Sequence, residues 1–258
     1  MNRLTNKLAK IKKEKRKFLV AYLTGGVPDI EGTIEYYKSI EKGGADIIEI
    51  GVPFSDALAD GLVNQEAALL AISQGIGITD IFSMVARIRK FSDTPIVFLV
   101  YYNSVFHYGT EQFILECVKQ GVDGLVIPDL PLEERTEIIE YANNENICLI
   151  PLVAPNSGER ISKITKGVSG FTYCVSSMGV TGMRNKFRDN VEDYITKARQ
   201  CSPLPVAVGF GIADSKAAEY FYNIADGIIV GSAIVKRILT GCEPEDLGHF
   251  IRTIVNKE

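Results

Sequence analysis

Histidine is scarce in this chain: His107 and His249 lie far apart and lack ligand spacing. That scarcity argues against a metal-dependent aldolase and against a histidine-based triad. Each histidine is read as structural or exposed. The cysteines, at 117, 148, 174, 201 and 242, are odd in number and include no C-x-x-C pair. Neither a disulfide framework nor a zinc site follows from them, and a reduced, cytoplasmic compartment fits best. No apolar run approaches the ~18 residues of a membrane span, and the charged N-terminus carries no signal-peptide core. Basic residues do not predominate: 28 against 32 acidic, for a net charge of −4. A nucleic-acid-binding domain would usually be basic, so that class of partner is not expected. The one basic stretch, 7–17, is interrupted by Glu14 and is read as a solvated helix face.

What is present is alternation. Short apolar runs at 18–23, 47–51, 96–100, 124–127, 147–153, 171–175, 206–209 and 227–230 are nearly continuous in Ile, Val, Leu and Phe. Such runs suit parallel strands covered on both faces. Helical spacing appears between them, at 33–42, 81–89, 111–119, 132–143, 189–199 and 215–223. Repeated strand–helix alternation predicts an α/β fold with a parallel sheet. A weak internal repeat supports it: Ala45-Asp46, Val122-Asp123 and Ala225-Asp226 each stand just before an apolar strand. Eight units in 258 residues favour closure into a single (β/α)8 TIM barrel spanning 1–258, because no linker divides the chain. The segments before Lys17 and after Gly241 are read as added N- and C-terminal helices.

In such barrels chemistry sits at the carboxyl ends of the strands. Glu49 stands inside one of the apolar runs. A buried carboxylate is costly unless paired, and it answers with a raised pKa, which suits a general acid at neutral pH. The alternative is a structural pair with Arg or Lys. Asp56 and Asp60 follow in the next loop, either as a partner acid/base or as turn formers. Glycine-rich turns at 179–182, 209–211 and 231–232 follow the last three strands. Bare glycine lets backbone N–H groups approach an anion, and the helix dipole helps, so a phosphorylated substrate is expected there. Ser232 is read as adding a hydroxyl and as a helix cap. Tyr22 and Tyr173 either face the barrel mouth or fill the core. The stretch 177–190, with Arg184, Lys186 and Arg188, is read as a lid over an anionic substrate or as a surface loop. No lysine falls at a predicted strand end, which argues against a Schiff-base aldolase.

The strand ending E-I-G at 49–51, followed by P-F-S-D-A-L-A-D-G at 53–61, resembles the signature of tryptophan synthase α subunits. So do Y-L-T-G-G at 22–26, V-Y-Y-N at 100–103, I-P-D-L-P at 127–131, G-V-T-G at 179–182, G-F-G-I at 209–212 and I-V-G-S-A-I-V-K at 229–236. The resemblance implies a lyase that splits indole-3-glycerol phosphate into indole and glyceraldehyde 3-phosphate. In it, Glu49 is the acid/base at the ring carbon, Asp60 the acceptor of the indole N–H, and Tyr173 an active-site tyrosine. Gly182, Gly211, Gly231 and Ser232 form the phosphate cradle, and Tyr22, Leu99 and Val126 the indole pocket. Thr181 is a lid residue, and Pro53, Asp56, Asn103 and Pro131 lie near a partner interface. The implied partner is a β subunit holding pyridoxal phosphate, in an α2β2 assembly; no cofactor or metal is implied in this chain. The pattern is broken at Ala57 and Leu62, where prolines are usual, at Asn64, where an apolar residue is usual, and at Val27, where Asp is usual. Losing two prolines predicts a more flexible open loop. It leaves two other readings open: a stand-alone indole-releasing lyase, and a degenerate subunit that mainly activates its partner. A more distant alternative is another phosphate-binding barrel, such as an isomerase of tryptophan or histidine biosynthesis.

Overall fold

The computed structural model describes residues 2–175, 184–209 and 211–255, without the side chains of 184–190. Its strands are β1 (Phe18–Thr24), β2 (Ile47–Gly51), β3 (Ile96–Leu99), β4 (Gly124–Val126), β5 (Cys148–Leu149), β6 (Leu152–Val153), β7 (Thr172–Val175), β8 (Val206–Gly209) and β9 (Gly227–Val230). All pair in parallel, in the order β5-β4-β3-β2-β1-β9-β8-β7-β6. The two ends of that order, β5 and β6, are halves of one chain segment, read above as the single strand 147–153. Pro151 interrupts it because proline has no N–H for a ladder. The segment bonds both ways: Ile150 N donates to Leu125 O at 2.8 Å, and Pro151 O accepts from Tyr173 N at 2.9 Å. The sheet thereby closes on itself as a (β/α)8 barrel.

Between the strands run α2 (Ile30–Gly43), α3 (Leu62–Ser73), α4 (Ile78–Ile88), α5 (Tyr102–Tyr108), α6 (Thr110–Gln120), α7 (Thr136–Asn144), α8 (Ile161–Ile164), α9 (Arg184–Cys201), α10 (Ser215–Ile224) and α11 (Ser232–Leu239). Helix α7 starts later than the predicted 132; residues 132–135 form turns ahead of it. Helices α3, α5 and α8 match none of the predicted helical stretches, and α11 was expected only as a helix opening at Ser232. The added helices are α1 (Arg3–Glu14) and α12 (Pro244–Val255). Helix α1 buries Leu4, Leu8 and Ile11, and Leu4 lies against Gly124 and Gly170 at the amino ends of β4 and β7. It therefore plugs the face opposite the mouth. Helix α12 packs on α2, where Gly43 admits Ile251.

The repeated aspartates do structural work at that lower face. Asp46, before β2, accepts from Leu19 N of β1 at 3.2 Å and from Arg16 at 2.8 and 2.9 Å. Asp123, before β4, accepts from Ile96 N of β3 and from Arg89. Asp226, before β9, accepts from Val206 N of β8 and from Arg199. Each carboxylate caps the first free N–H of the neighbouring strand and carries an arginine as counter-charge.

Candidate active site

Which strand face lines the interior is settled by one contact. Phe18 on β1 and Phe171 just before β7 touch ring to ring at 5.8 Å, though their strands are not neighbours in the sheet. The face of β1 carrying Phe18 and, two and four residues on, Val20 and Tyr22 therefore points inward. Pairing carries that face around the barrel: Tyr22 stands beside Glu49, and Glu49 beside Val97. One step nearer the mouth, Thr24, Gly51, Leu99 and Val126 form the next row. Tyr22 fits because Gly51 has no side chain; a Cβ there would overlap the phenol ring. The predicted pocket residues Tyr22, Leu99 and Val126 thus share one wall, and all three are buried.

Glu49 is fully buried, and neither of its oxygens has a hydrogen-bond partner. Among the described residues no ion pair reaches it, which speaks against the structural-pair alternative. Loss of hydration, then the nearby charge of Asp60, pushes its pKa up to about 8. Asp60 is partly buried in the loop after β2, and burial raises it to about 6, against the opposing pull of a hydrogen bond from Tyr101. Tyr173, on β7 across the barrel, has its phenol raised by burial and then by the charges of Glu49 and Asp60. Gly209 beside it leaves room for the ring. The barrel has brought Glu49, Asp60, Tyr22 and Tyr173 within electrostatic reach of one another. Asp56 stays outside this group: it is exposed and accepts from Ser55 Oγ at 2.6 Å.

The loop bearing Asp60 is held without its usual prolines. Tyr101 Oη accepts from Ala59 N at 3.0 Å and donates to Asp60 Oδ2 at 3.3 Å, while its ring stacks on Phe54 at 5.1 Å. Gln65 Nε2 donates to Ala57 O and Asp60 O. Sequence reasoning missed Tyr101 as a site residue; its only signal was its place in the V-Y-Y-N block, just past the end of β3.

At the other side of the mouth, Gly211 adopts φ +56° with open space where a Cβ would be. Helix α11 begins its ladder with Ile234 N and Val235 N on Gly231 O, which leaves Ser232 N and Ala233 N outside it. The cap is Gly231, with no side-chain cap bond, so Ser232 sits one residue inside the helix and is not its cap. Those N–H groups, outside the helix ladder, and the exposed Ser232 suit an anion. Thr181 and Gly182, expected as a lid residue and a member of the phosphate cradle, lie outside the described residues, as do the side chains of Arg184, Lys186 and Arg188. Pro53 is partly buried beside the loop, whereas Asp56, Asn103 and Pro131 are exposed. Exposed apolar side chains accompany them: Leu58 at 88%, Leu62 at 83% and Phe106 at 68%.

A closed (β/α)8 barrel with two interacting carboxyls, one buried and one beside it, and an anion-ready helix start at the same mouth suits a barrel enzyme of proton-transfer chemistry. The family follows from comparison. The chain belongs to the tryptophan synthase alpha chain family, whose model matches residues 8–249. The tryptophan synthase alpha chain of Thermoanaerobacter pseudethanolicus is 47% identical over 99% of this chain and 98% of its own. Among solved structures, tryptophan synthase subunit alpha from Legionella pneumophila matches with TM-score 0.90 at 30% identity, covering 98% of this chain and 97% of that one. A chain of the tryptophan synthase complex from Pyrococcus furiosus matches with TM-score 0.84 at 32% identity, covering 93% of this chain and 98% of that one.

Proposed function

We propose that the barrel mouth cleaves indole-3-glycerol phosphate into indole and glyceraldehyde 3-phosphate, and that the indole passes to a tryptophan synthase β subunit. The whole chain acts as one barrel domain in this reading, within an α2β2 complex. Breaking the carbon–carbon bond requires a proton on the ring carbon and the loss of one from the side-chain hydroxyl. Glu49, held protonated near neutrality, supplies the first, and its carboxylate then takes the second. Asp60, ionised, accepts the indole N–H and offsets the positive charge on the protonated ring. Tyr173 stands beside the glycerol chain. Gly211, Gly231 and Ser232, with Gly182, hold the phosphate; Tyr22, Leu99 and Val126 enclose the ring; and Thr181 closes on Asp60. The chain supplies these steps without a cofactor, and pyridoxal phosphate belongs to the β partner. Pro53, Asp56, Asn103 and Pro131 lie on the face toward that partner, in the company of Leu58, Leu62 and Phe106. The carrying observation is Glu49, buried with both oxygens unpartnered beside a second carboxyl.

Indole release from indole-3-glycerol phosphate, measured with and without a β subunit, tests the reading. The expected result is slow release alone and much faster release in the complex. Equal rates favour a stand-alone lyase. Tight association with no release under either condition assigns the chain to partner activation and refutes catalysis.

A further inference from the structure

Glu49 shares its unusual condition with one other side chain. Among the described residues, the buried side-chain oxygens without a hydrogen-bond partner are the two of Glu49 and Oδ1 of Asn64. Polar groups around Asn64 are matched: Gln65 Nε2 meets Ala57 O and Asp60 O, and Asn64 N itself donates to Gly61 O at 3.0 Å. A buried amide oxygen without a donor lowers stability, so a particular orphan asks for an explanation.

Its position supplies one. Asn64 lies in the first turn of α3, four residues after Asp60. The buried stripe of α3 is Ala67, Ala68 and Ala71, and Asn64 precedes the first two by three and four residues, on the same face. Helix α3 packs on β1, which carries Tyr22, and on α11, which opens at Ser232. Asn64 is therefore the member of the stripe nearest Asp60 and the barrel mouth. An apolar residue at 64 would complete the stripe, and an apolar residue is what the family resemblance leads one to expect. This chain has placed a hydrogen-bond acceptor there instead.

We infer that Asn64 Oδ1 is a substrate-binding group that accepts a hydrogen bond from the ring N–H of the bound indole moiety, beside Asp60. The inference rests on the lyase reading above. The ring carries a single donor, and two acceptors can share one N–H in a three-centre bond. Tyr101 already occupies Asp60 Oδ2, which leaves Asp60 Oδ1 and Asn64 Oδ1 as the acceptors available to the ring N–H. A neutral amide accepts without taking the proton. It therefore holds the ring in register whichever charge state Asp60 is in, and it makes the pocket discriminate against rings that lack the N–H.

The test replaces Asn64 with apolar residues, Asn64→Leu and Asn64→Ile, in complex with the β subunit. The two differ in branching, so agreement between them separates loss of the acceptor from poor fit. Both variants are expected to unfold at higher temperature than the wild type and to lose about tenfold in kcat/KM for indole-3-glycerol phosphate. A second readout needs no turnover: the affinity ratio for indole over benzothiophene, which has sulfur in place of N–H, should fall about tenfold in both. An unchanged ratio and unchanged kcat/KM overturn the inference, whatever happens to stability. A wild-type complex that releases no indole removes the lyase reading, while the ring-affinity ratio still decides the Asn64 contact.

Discussion

At the scale of single residues, the proposed chemistry turns on two carboxyls given different environments. Glu49 sits among buried aliphatic strands and accepts from no donor among the described residues. Asp60 keeps a donor in Tyr101 and partial access to water. Burial therefore drives both pKa values up, but Glu49 further, to about 8 against about 6 for Asp60. Catalysis by protonated Glu49 and ionised Asp60 predicts a bell-shaped kcat/KM profile, rising as pH passes about 6 and falling beyond about 8. In Glu49→Gln the rate should drop by roughly 10²–10⁴ and the alkaline limb should vanish. An alkaline limb that persists in that variant assigns it to another group. The same raised pKa values also set the sign of a stability effect. Between about 4.5 and 8 the unfolded chain loses the Glu49 proton while the folded protein keeps it, so this group lowers stability as pH rises through that window. Thermal unfolding of the wild type and of Glu49→Gln at pH 5 and pH 8 reads that difference, and the variant should be relatively more stable at pH 8. Glu49 was legible in the sequence because a carboxylate in an apolar strand is conspicuous. Tyr101 was not, because an aromatic residue at a strand end is ordinary until its hydroxyl is seen bridging Ala59 and Asp60.

At the scale of elements, the alternating pattern located the strands well, since strands buried on both faces read as unbroken apolar runs. It was weaker for helices whose buried face is narrow: α3 buries only Ala67, Ala68 and Ala71, and α5 only Val105. Small side chains leave little periodic signal. The Asp repeat was visible, but its role was not, because the N–H it caps belongs to a strand about 27 residues earlier for Asp46 and Asp123. Asp46→Ala should strand the Leu19 N–H and leave Arg16 with Glu14 as its counter-charge, and should destabilise the barrel by about 1–3 kcal/mol. Denaturant unfolding measures the loss, and kcat/KM under native conditions should hold, because Asp46 lies at the face opposite the mouth. Leu62 offers a change in the other direction. It is the first residue of α3, exposed, and its N–H makes no helix bond, so Leu62→Pro meets the preference of proline for that position. The expected gain is about 0.4–1 kcal/mol, read as a raised melting temperature.

At the scale of the whole molecule, one end of the barrel is built for stability and the other for exchange with its surroundings. The lower face is plugged by α1 and stapled by buried aspartates. The upper rim carries Leu58, Leu62 and Phe106 in contact with solvent, close in sequence to Asp56 and Asn103. Exposed large apolar side chains are a common feature of interaction surfaces, and the proposed β-subunit interface includes these three. Phe106→Glu should weaken association with the β subunit at least tenfold in Kd and reduce activation by it. Thermal stability of the free chain should not change, because Phe106 is mostly exposed already. Unaltered affinity in a titration calorimetry experiment would place the interface elsewhere. Among the described residues no single helix is long and apolar enough to cross a membrane.

The linear chain by itself settled what depends on local chemistry: strand runs from apolar continuity, turns from glycine, an ionisable group where hydration would be lost, and a family from motifs in order. Only the closed barrel decided what depends on distance through space. It set Tyr22, Glu49 and Tyr173 around one interior, brought Asp60 and not Asp56 into charge coupling with them, as the resemblance had implied, and moved the helix cap from Ser232 to Gly231. The reason is physical. Desolvation and charge coupling depend on which groups surround an atom, and those groups arrive from strands far apart in the chain.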